Sequence, residues 1–279
     1  MNLFELFVKI GVDDQASNKL QKITGQIGNG LKKAAKIGAA AVSIAAAGIT
    51  ALTTAAVKNY AEYEQLAGGV ETLFKKSARK VMNYATAAYE TAGLSANEYM
   101  ATVTSFSASL LQGLEGDTEA AADYANQAIV DMADNANKMG TSIEMIQNAY
   151  QGFAKQNYTM LDNLKLGYGG TKTEMQRLIA DANKVKEANG EMADLSIDSF
   201  ADVTEAIHIM QEEMGIAGTT AKEASDTISG SLAAVKAQWN NLLTAISQGD
   251  GWDTGVYISN LIDTVSTAFK NLKPVIRSS

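Results

Sequence analysis

Apolar residues occupy every second position from Phe4 to Val12. Glu5 and Lys9 lie between apolar side chains at every second position, which are Phe4, Leu6, Val8, Ile10 and Val12. This alternation predicts a half-buried β-strand, because successive side chains of a strand point to opposite faces. Since the rest of the sequence has helical spacing, we expect the strand to pair with another copy or another protein.

Helical spacing begins directly after the predicted strand. Asp13 or Asp14 can cap a helix whose apolar positions are Leu20, Ile23, Ile27 and Leu31. The strand and this helix form a predicted N-terminal segment, residues 1–33. A second helix, rich in alanine, is predicted for residues 34–66.

The alanine-rich helix contains a run of 21 residues without a charge, residues 37–57. About 20 apolar residues suffice for a helix to cross a bilayer. Nine of the 21 are Ala, however, and only six are large aliphatic residues, which are scattered around the helix. The helix is therefore weakly apolar on all sides. We interpret it as a conditional membrane segment, which stays in water when bundled with copies of itself and enters a bilayer when delivered there.

Regular helix start and stop signals follow from about residue 70 to residue 218 and predict a compact domain of five to seven helices. We place the bounds of this helical domain at residues 67–247. Four capping boxes of the form Ser/Thr-x-x-Glu are present: Ser95 with Glu98, Thr141 with Glu144, Thr171 with Glu174, and Thr220 with Glu223. Each follows a glycine at or near the end of the preceding helix, namely Gly93, Gly140, Gly170 or Gly218.

Two heptad-like seams mark the C-terminal part. The first seam consists of Ile228, Leu232, Val235, Trp239, Leu242 and Ile246. The second lies in the predicted C-terminal helix, residues 248–279, and consists of Ile258, Ile262, Val265, Phe269 and Leu272. Each seam is shorter than a secure coiled coil requires. Both a coiled coil and an antiparallel helical hairpin packed on the preceding domain fit the pattern.

Composition favours an all-α protein and excludes several functions. The chain has one Pro, 7% aromatic residues and no Cys, which rules out disulfides and thiol chemistry. The first 60 residues carry seven Lys and three acidic residues, for a net charge of +4, which leaves −12 for the remainder. This acidic remainder is unsuited to clamping nucleic acid, because phosphate binding needs clustered Lys and Arg.

No catalytic, cofactor-binding or metal-binding residue is predicted, and we expect the protein not to be an enzyme. His208 is the only histidine and lies in an apolar helical stretch, which predicts a buried or half-buried packing residue. No nucleophile elbow accompanies it. The segment 167–173 lacks the spacing of a phosphate-binding loop, and a glycine turn followed by the Thr171 cap accounts for it.

Two segments resemble the N-terminal portion of tail tape measure proteins from phages and prophages of Gram-positive bacteria with long non-contractile tails. They are MGTSIEMIQNAYQGFAKQNYTMLDNLKLGYGGTKTEMQRLI at 139–179 and MGIAGTTAKEASDTISGSLAAVKAQWNNLL at 214–243. The resemblance implies an elongated helical protein, present as a few parallel copies in the lumen of the tail tube. Such a protein templates tail length and is expelled ahead of the DNA, when its apolar segments help to form a conduit through the host membrane.

The resemblance also implies partners and location. The partners would be further copies of the chain, tail tube and tail tip proteins, tail assembly chaperones and the host membrane, with no specific nucleic-acid binding. The protein would be made in the host cytoplasm and reside in the virion. The chain departs from typical members, which are much longer and sometimes carry a peptidoglycan-cleaving module. The alternatives are an all-helical pore-forming protein and a helical scaffold without a membrane role.

Overall fold

The computed structural model describes residues 49–248 and 254–277, and within them the fold is all-α, as predicted, with no strand. The α-helices are α1 (Ile49–Phe74), α2 (Ala78–Thr91), α3 (Ala96–Gly113), α4 (Thr118–Met139), α5 (Ile143–Phe153), α6 (Lys172–Ala188), α7 (Phe200–Glu213), α8 (Thr219–Asp226), α9 (Ile228–Gln248) and α10 (Thr254–Arg277). Short 3₁₀ turns lie at Lys75–Ser77 and Leu161–Leu164. The predicted strand and residues 34–48 of the alanine-rich helix lie outside the described residues.

The chain divides into two units, which are described separately. The first unit runs from Leu66 to Asp226, and the described residues of the second are 49–65, 227–248 and 254–277. The helical domain predicted at 67–247 would extend through α9, which belongs to the second unit. The extent of an independently folding domain therefore stays a prediction.

Helix α4 is the central helix of the first unit, where it contacts α2, α3, α5, α7 and α8. Its buried residues include many alanines, which let neighbouring helices approach closely, together with Ile129 and Met132. Larger side chains complete the core around it. The largest fully buried ones include Phe74, Tyr99, Met100, Phe106, Leu110, Ile146, Tyr150, Phe153, Leu161 and Leu164.

Two of the four predicted caps form at the predicted residues. At α3 the Ser95 hydroxyl accepts from the backbone N–H of Glu98, and the Glu98 carboxylate accepts from the backbone N–H of Ser95, which completes the capping box. At α6 the Thr171 hydroxyl accepts from the Glu174 N–H. The Glu174 carboxylate accepts from the backbone N–H of Gly169 instead of Thr171, so this cap is not reciprocal.

The capping box predicted at Thr141 and Glu144 is wrong by one residue. Helix α5 is capped by Ser142, whose hydroxyl accepts from the backbone N–H of Met145. The Thr141 hydroxyl is buried and donates to the carbonyl of Asn163, which tethers the 3₁₀ turn at Leu161–Leu164. The Thr141 hydroxyl, which the local pattern predicted as a helix cap, thus forms a long-range hydrogen bond instead.

The cap predicted at Thr220 and Glu223 is also wrong. A cap at Thr220 would make Ala221 the first helical residue, but α8 starts two residues earlier, at Thr219. Its N-terminus is capped by Asp134 of α4. The two Asp134 carboxylate oxygens accept from the backbone N–H groups of Gly218, at 2.6 Å, and Thr220, at 2.7 Å. A carboxylate suits this position because the start of a helix carries partial positive charge.

In the second unit, α9 and α10 pack against each other as an antiparallel hairpin. The Asn271 side chain, late in α10, donates to the carbonyl of Thr227, directly before α9. The buried positions of α9 have small or polar side chains as well as leucines: Ser231, Ala234, Ala237, Gln238, Asn241, Leu242, Leu243, Thr244 and Ala245. The predicted seam is therefore not the buried stripe, since Leu232 is 48% exposed while Leu242 is buried.

We predict that Gly170→Ala destabilises the first unit far more than Gly169→Ala. A Cβ at Gly170 would lie 2.3 Å from the Thr159 carbonyl oxygen, whereas one at Gly169 would lie 3.5 Å from the nearest atom, Glu174 Cγ. Because the clash at Gly170 involves backbone, we expect a loss of about 1–3 kcal/mol, as for other overpacked sites. Thermal melting of both variants measures the difference, and equal melting temperatures would contradict this packing.

A candidate site at a cleft around His208

The first unit contains a cleft of about 420 Å³ between α4, α6 and α7, which we call the His208 cleft. Polar and charged side chains from all three helices line it, including Gln127, Lys186, Glu205, His208 and Glu212. The cleft is thus a charged concave surface on an otherwise alanine-rich scaffold.

His208 forms an ion pair with a carboxylate buried behind the cleft. Its Nδ1 atom lies 2.9 Å from Oδ1 of Asp131, whose side chain is 1% exposed, while the His208 side chain is 24% exposed. Gln127 also donates to Asp131 Oδ1, at 3.1 Å. His208 is half buried, as predicted. Its partner Asp131 was not identified from the sequence.

The pair perturbs the pKa values of both groups. Burial raises the pKa of Asp131, because a carboxylate loses its hydration in the core. The hydrogen bond and charge of Asp131 in turn raise the pKa of the His208 imidazole. The imidazolium form of His208 is therefore favoured where it neutralises the buried carboxylate.

A second charged cluster also lines the cleft. Lys186 Nζ is 2.7 Å from Oε1 of Glu205, and the Tyr124 hydroxyl donates to Oε2 at 2.8 Å. Burial opposes ionisation of Glu205, but these two hydrogen bonds outweigh it and lower its pKa. Burial and the Glu205 hydrogen bond raise the pKa of Tyr124 to about 12. The cluster joins α4, α6 and α7 through charge-assisted bonds.

The His208 cleft contains an acid–base pair but no activated nucleophile among its described residues. His208 Nε2, the atom that would activate a nucleophile, lies 3.4 Å from Glu212 Oε1. The hydroxyl of Thr204, which also lines the cleft, donates to the Ala201 carbonyl at 2.7 Å. No group of three or more potential metal ligands occurs in the part of the chain that the structure describes.

The glycine-rich turn at 167–171 is held by contacts within the protein. The Arg177 guanidinium donates to the carbonyl of Gly167 and lies 4.3 Å from the centre of the Tyr168 ring. Tyr168 is buried, as predicted for a packing residue, and its hydroxyl donates to Asp181. The backbone of the turn is thus occupied by packing and capping interactions, consistent with the structural role predicted for it.

One sequence signal could have revealed Asp131. Residues 128–136 read AIVDMADNA, and their apolar residues place this part of α4 in the core. Asp131 and Asp134 lie three residues apart within it and are both buried. Acidic residues inside an apolar helical pattern predict partners on other helices, because an unpaired buried charge is strongly destabilising.

Comparisons with known proteins identify no relative. The chain matches no protein-family profile, and no curated protein or solved structure is detectably similar to it. Of the helices in residues 49–248 and 254–277, none is both long enough and apolar enough to span a membrane. The part of the apolar run at 37–48 lies outside this description.

We predict that His208→Gln destabilises the protein most at low pH. Because the folded pKa of His208 is raised above 6.5, the stabilisation from its charge is fully present below about pH 6.5 and is lost as the pH rises through the folded value. Loss of a charged hydrogen bond costs about 2 kcal/mol, so the melting temperature should fall by roughly 4–8 °C at pH 6.

The melting temperatures of wild type and His208→Gln are measured from pH 6 to pH 9, and their difference is taken at each pH. Groups that titrate alike in both proteins do not contribute to this difference. The difference should shrink as the pH rises. A constant difference over this range would contradict a charged His208–Asp131 pair.

Proposed function

We propose that the chain is the N-terminal portion of a tail tape measure protein, which lies in the tail tube lumen and templates tail length and assembly. The observation that carries the proposal is the resemblance of residues 139–179 and 214–243 to that family. The N-terminal strand, the complete alanine-rich helix at 34–66 and an extended C-terminal helix at 248–279 belong to the same proposal.

The two segments that carry the resemblance form ordered helices and part of the core in this structure. Residues 139–179 include α5, the 3₁₀ turn and the start of α6, and they supply core residues such as Tyr150, Phe153 and Leu164. Residues 214–243 include α8, with its N-terminus at Asp134, and most of α9. The similar segments thus include buried core residues and a capped helix start.

Composition and charge are compatible with a place in a tail lumen. The helical, nearly proline-free chain suits a bundle of parallel copies in a narrow tube. The acidic remainder of the chain, with its net charge of −12 after residue 60, would repel DNA that passes through the same lumen. We propose tail tube proteins, tail tip proteins and assembly chaperones as partners, the virion as location, and no catalytic turnover.

A membrane-active function is the second candidate, and the uncharged run at 37–57 favours it. If this run inserts into bilayers, the purified protein should release a dye from liposomes. Asp at both Ile44 and Ile49 should abolish the release, because each costs about 2.5–3.5 kcal/mol at the bilayer centre. Release of the dye by the wild-type protein would support either a conduit for DNA ejection or an independent pore. The tail-length experiment described next distinguishes these two functions.

We predict that tail length follows the length of this protein. In a phage or prophage that encodes the chain, a second in-frame copy of residues 66–226 should lengthen the tail, by up to about 240 Å if the added residues are fully helical. Electron microscopy of the particles measures the length, and mass spectrometry tests for the protein in them.

In this experiment, a plasmid supplies the enlarged gene to a phage or prophage from which the original gene is deleted. The matched control supplies the wild-type gene from the same plasmid, which should restore the original tail length. Tails of unchanged length that contain the enlarged protein would contradict a templating role. Particles without the protein would contradict a virion location. Unchanged tails combined with liposome release would favour the pore-forming alternative.

A further inference from the structure

His208 and Glu212 lie one turn apart on α7, and both line the His208 cleft. Residues four apart are neighbours on the surface of a helix, and His208 Nε2 lies 3.4 Å from Glu212 Oε1. The two side chains are 24% and 60% exposed, so small solutes have access to the pair. A nitrogen and an oxygen that can both bind a cation are thus held near each other at the cleft.

The separation of these two atoms fits two ligands of one metal ion better than it fits a strong hydrogen bond. A charge-assisted N–H···O bond usually measures about 2.7–2.9 Å, whereas His208 Nε2 and Glu212 Oε1 are 3.4 Å apart. Zn²⁺ binds histidine nitrogen and carboxylate oxygen at about 2.0–2.2 Å in tetrahedral geometry, which places neighbouring ligand atoms about 3.3–3.5 Å from each other. One ion can therefore bind both atoms at their present separation.

The other nitrogen of the imidazole is held in the way that is usual for metal-binding histidines. Nδ1 lies 2.9 Å from Oδ1 of the buried Asp131. Because a carboxylate can only accept, Nδ1 carries a proton, and the lone pair of the neutral ring is then on Nε2. Histidines that bind metals almost always donate their second N–H to a carboxylate, a carbonyl or water, which fixes the tautomer and the orientation of the ring. Asp131 thus leaves Nε2 as the nitrogen that can bind a metal.

The charges around the pair favour a cation. Besides His208, the charged residues that line the cleft are Asp123, Lys186, Glu191, Glu205, Glu212 and Glu213. Carboxylates therefore outnumber ammonium groups around the imidazole, and the buried Asp131 adds a further negative charge behind it. Helix α7 also ends at Glu213, and the C-terminal end of a helix carries partial negative charge.

We propose that His208 Nε2 and Glu212 Oε1 bind a divalent transition-metal ion of the Zn²⁺ class, with water molecules as its remaining ligands. An imidazole together with a carboxylate suits such an ion, whereas Mg²⁺ and Ca²⁺ prefer oxygen ligands. On binding, the Nε2–H bond of the imidazolium breaks, its proton is released to solvent, and the bond between Nε2 and the metal forms. The Nδ1 proton stays between His208 and Asp131. This inference is independent of the proposed function.

Titration of the whole chain with Zn²⁺ alone, after purification without a polyhistidine tag, tests the proposal. His208 is the only histidine, so the imidazole ¹⁵N signals identify the binding atom. Zn²⁺ should shift the Nε2 signal, and half of the shift should need more Zn²⁺ at pH 6 than at pH 7.5, because protons compete for Nε2. An Nε2 signal that Zn²⁺ leaves unchanged would overturn the proposal.

Glu212→Gln and Glu213→Gln are a matched pair of variants. Each removes one carboxylate from the cleft at the end of α7, but it is Glu212 whose carboxylate lies 3.4 Å from His208 Nε2. Glu212→Gln should raise the Zn²⁺ concentration at half of the shift by about tenfold or more, since even outer-shell partners of a metal contribute about 10–100-fold. Glu213→Gln should raise it by less than about twofold, because salt screens exposed charges. Equal effects of the two variants would indicate general attraction to an acidic cleft and would overturn the two-ligand site.

Discussion

Two carboxylates buried on α4 must be neutralised from other helices, and the arrangement of α7 and α8 in the first unit depends on this requirement. Asp131 pairs with His208 of α7, and Asp134 accepts the N–H groups of Gly218 and Thr220 at the start of α8. An unpaired buried charge is strongly destabilising, so neither helix can move away from α4 without a large loss of stability. Apolar contacts hold the same helices together, but they are less directional than these bonds.

One of these carboxylates, Asp131, also contributes to the charge of the His208 cleft, because it pairs with His208. Asp131 brings His208 to the inner wall, and the Lys186–Glu205 pair joins α6 to α7 beside it. The cleft thus owes its shape and charge to interactions that hold three helices together, and His208 Nε2 faces Glu212. The charged side chains of the cleft therefore have a structural role in the first unit.

Features that depend on neighbours within one helical turn could be predicted from the sequence, and features that depend on distant partners could not. The Ser95 capping box and the Thr171 cap could be predicted because each hydroxyl lies three residues from its donor. The same spacing at Thr141 failed because its hydroxyl binds the distant carbonyl of Asn163. The cap of α8 comes from Asp134, 86 residues before Thr220, so no local pattern could show which helix this carboxylate caps. The buried stripe of α9 was missed because small and polar residues such as Ser231, rather than only large aliphatics, pack in the hairpin.

Hydrogen exchange at α8 tests most directly whether the buried carboxylates of α4 hold the neighbouring helices. In Asp134→Asn, one side-chain oxygen is replaced by an amide group that cannot accept, and the charge is lost. The Gly218 and Thr220 amides should then exchange about tenfold faster or more, because a charged hydrogen bond contributes roughly 1.5–3 kcal/mol. The exposed Asp226→Asn, on the same helix, should leave their exchange unchanged. Equal exchange rates in wild type and Asp134→Asn would contradict the requirement.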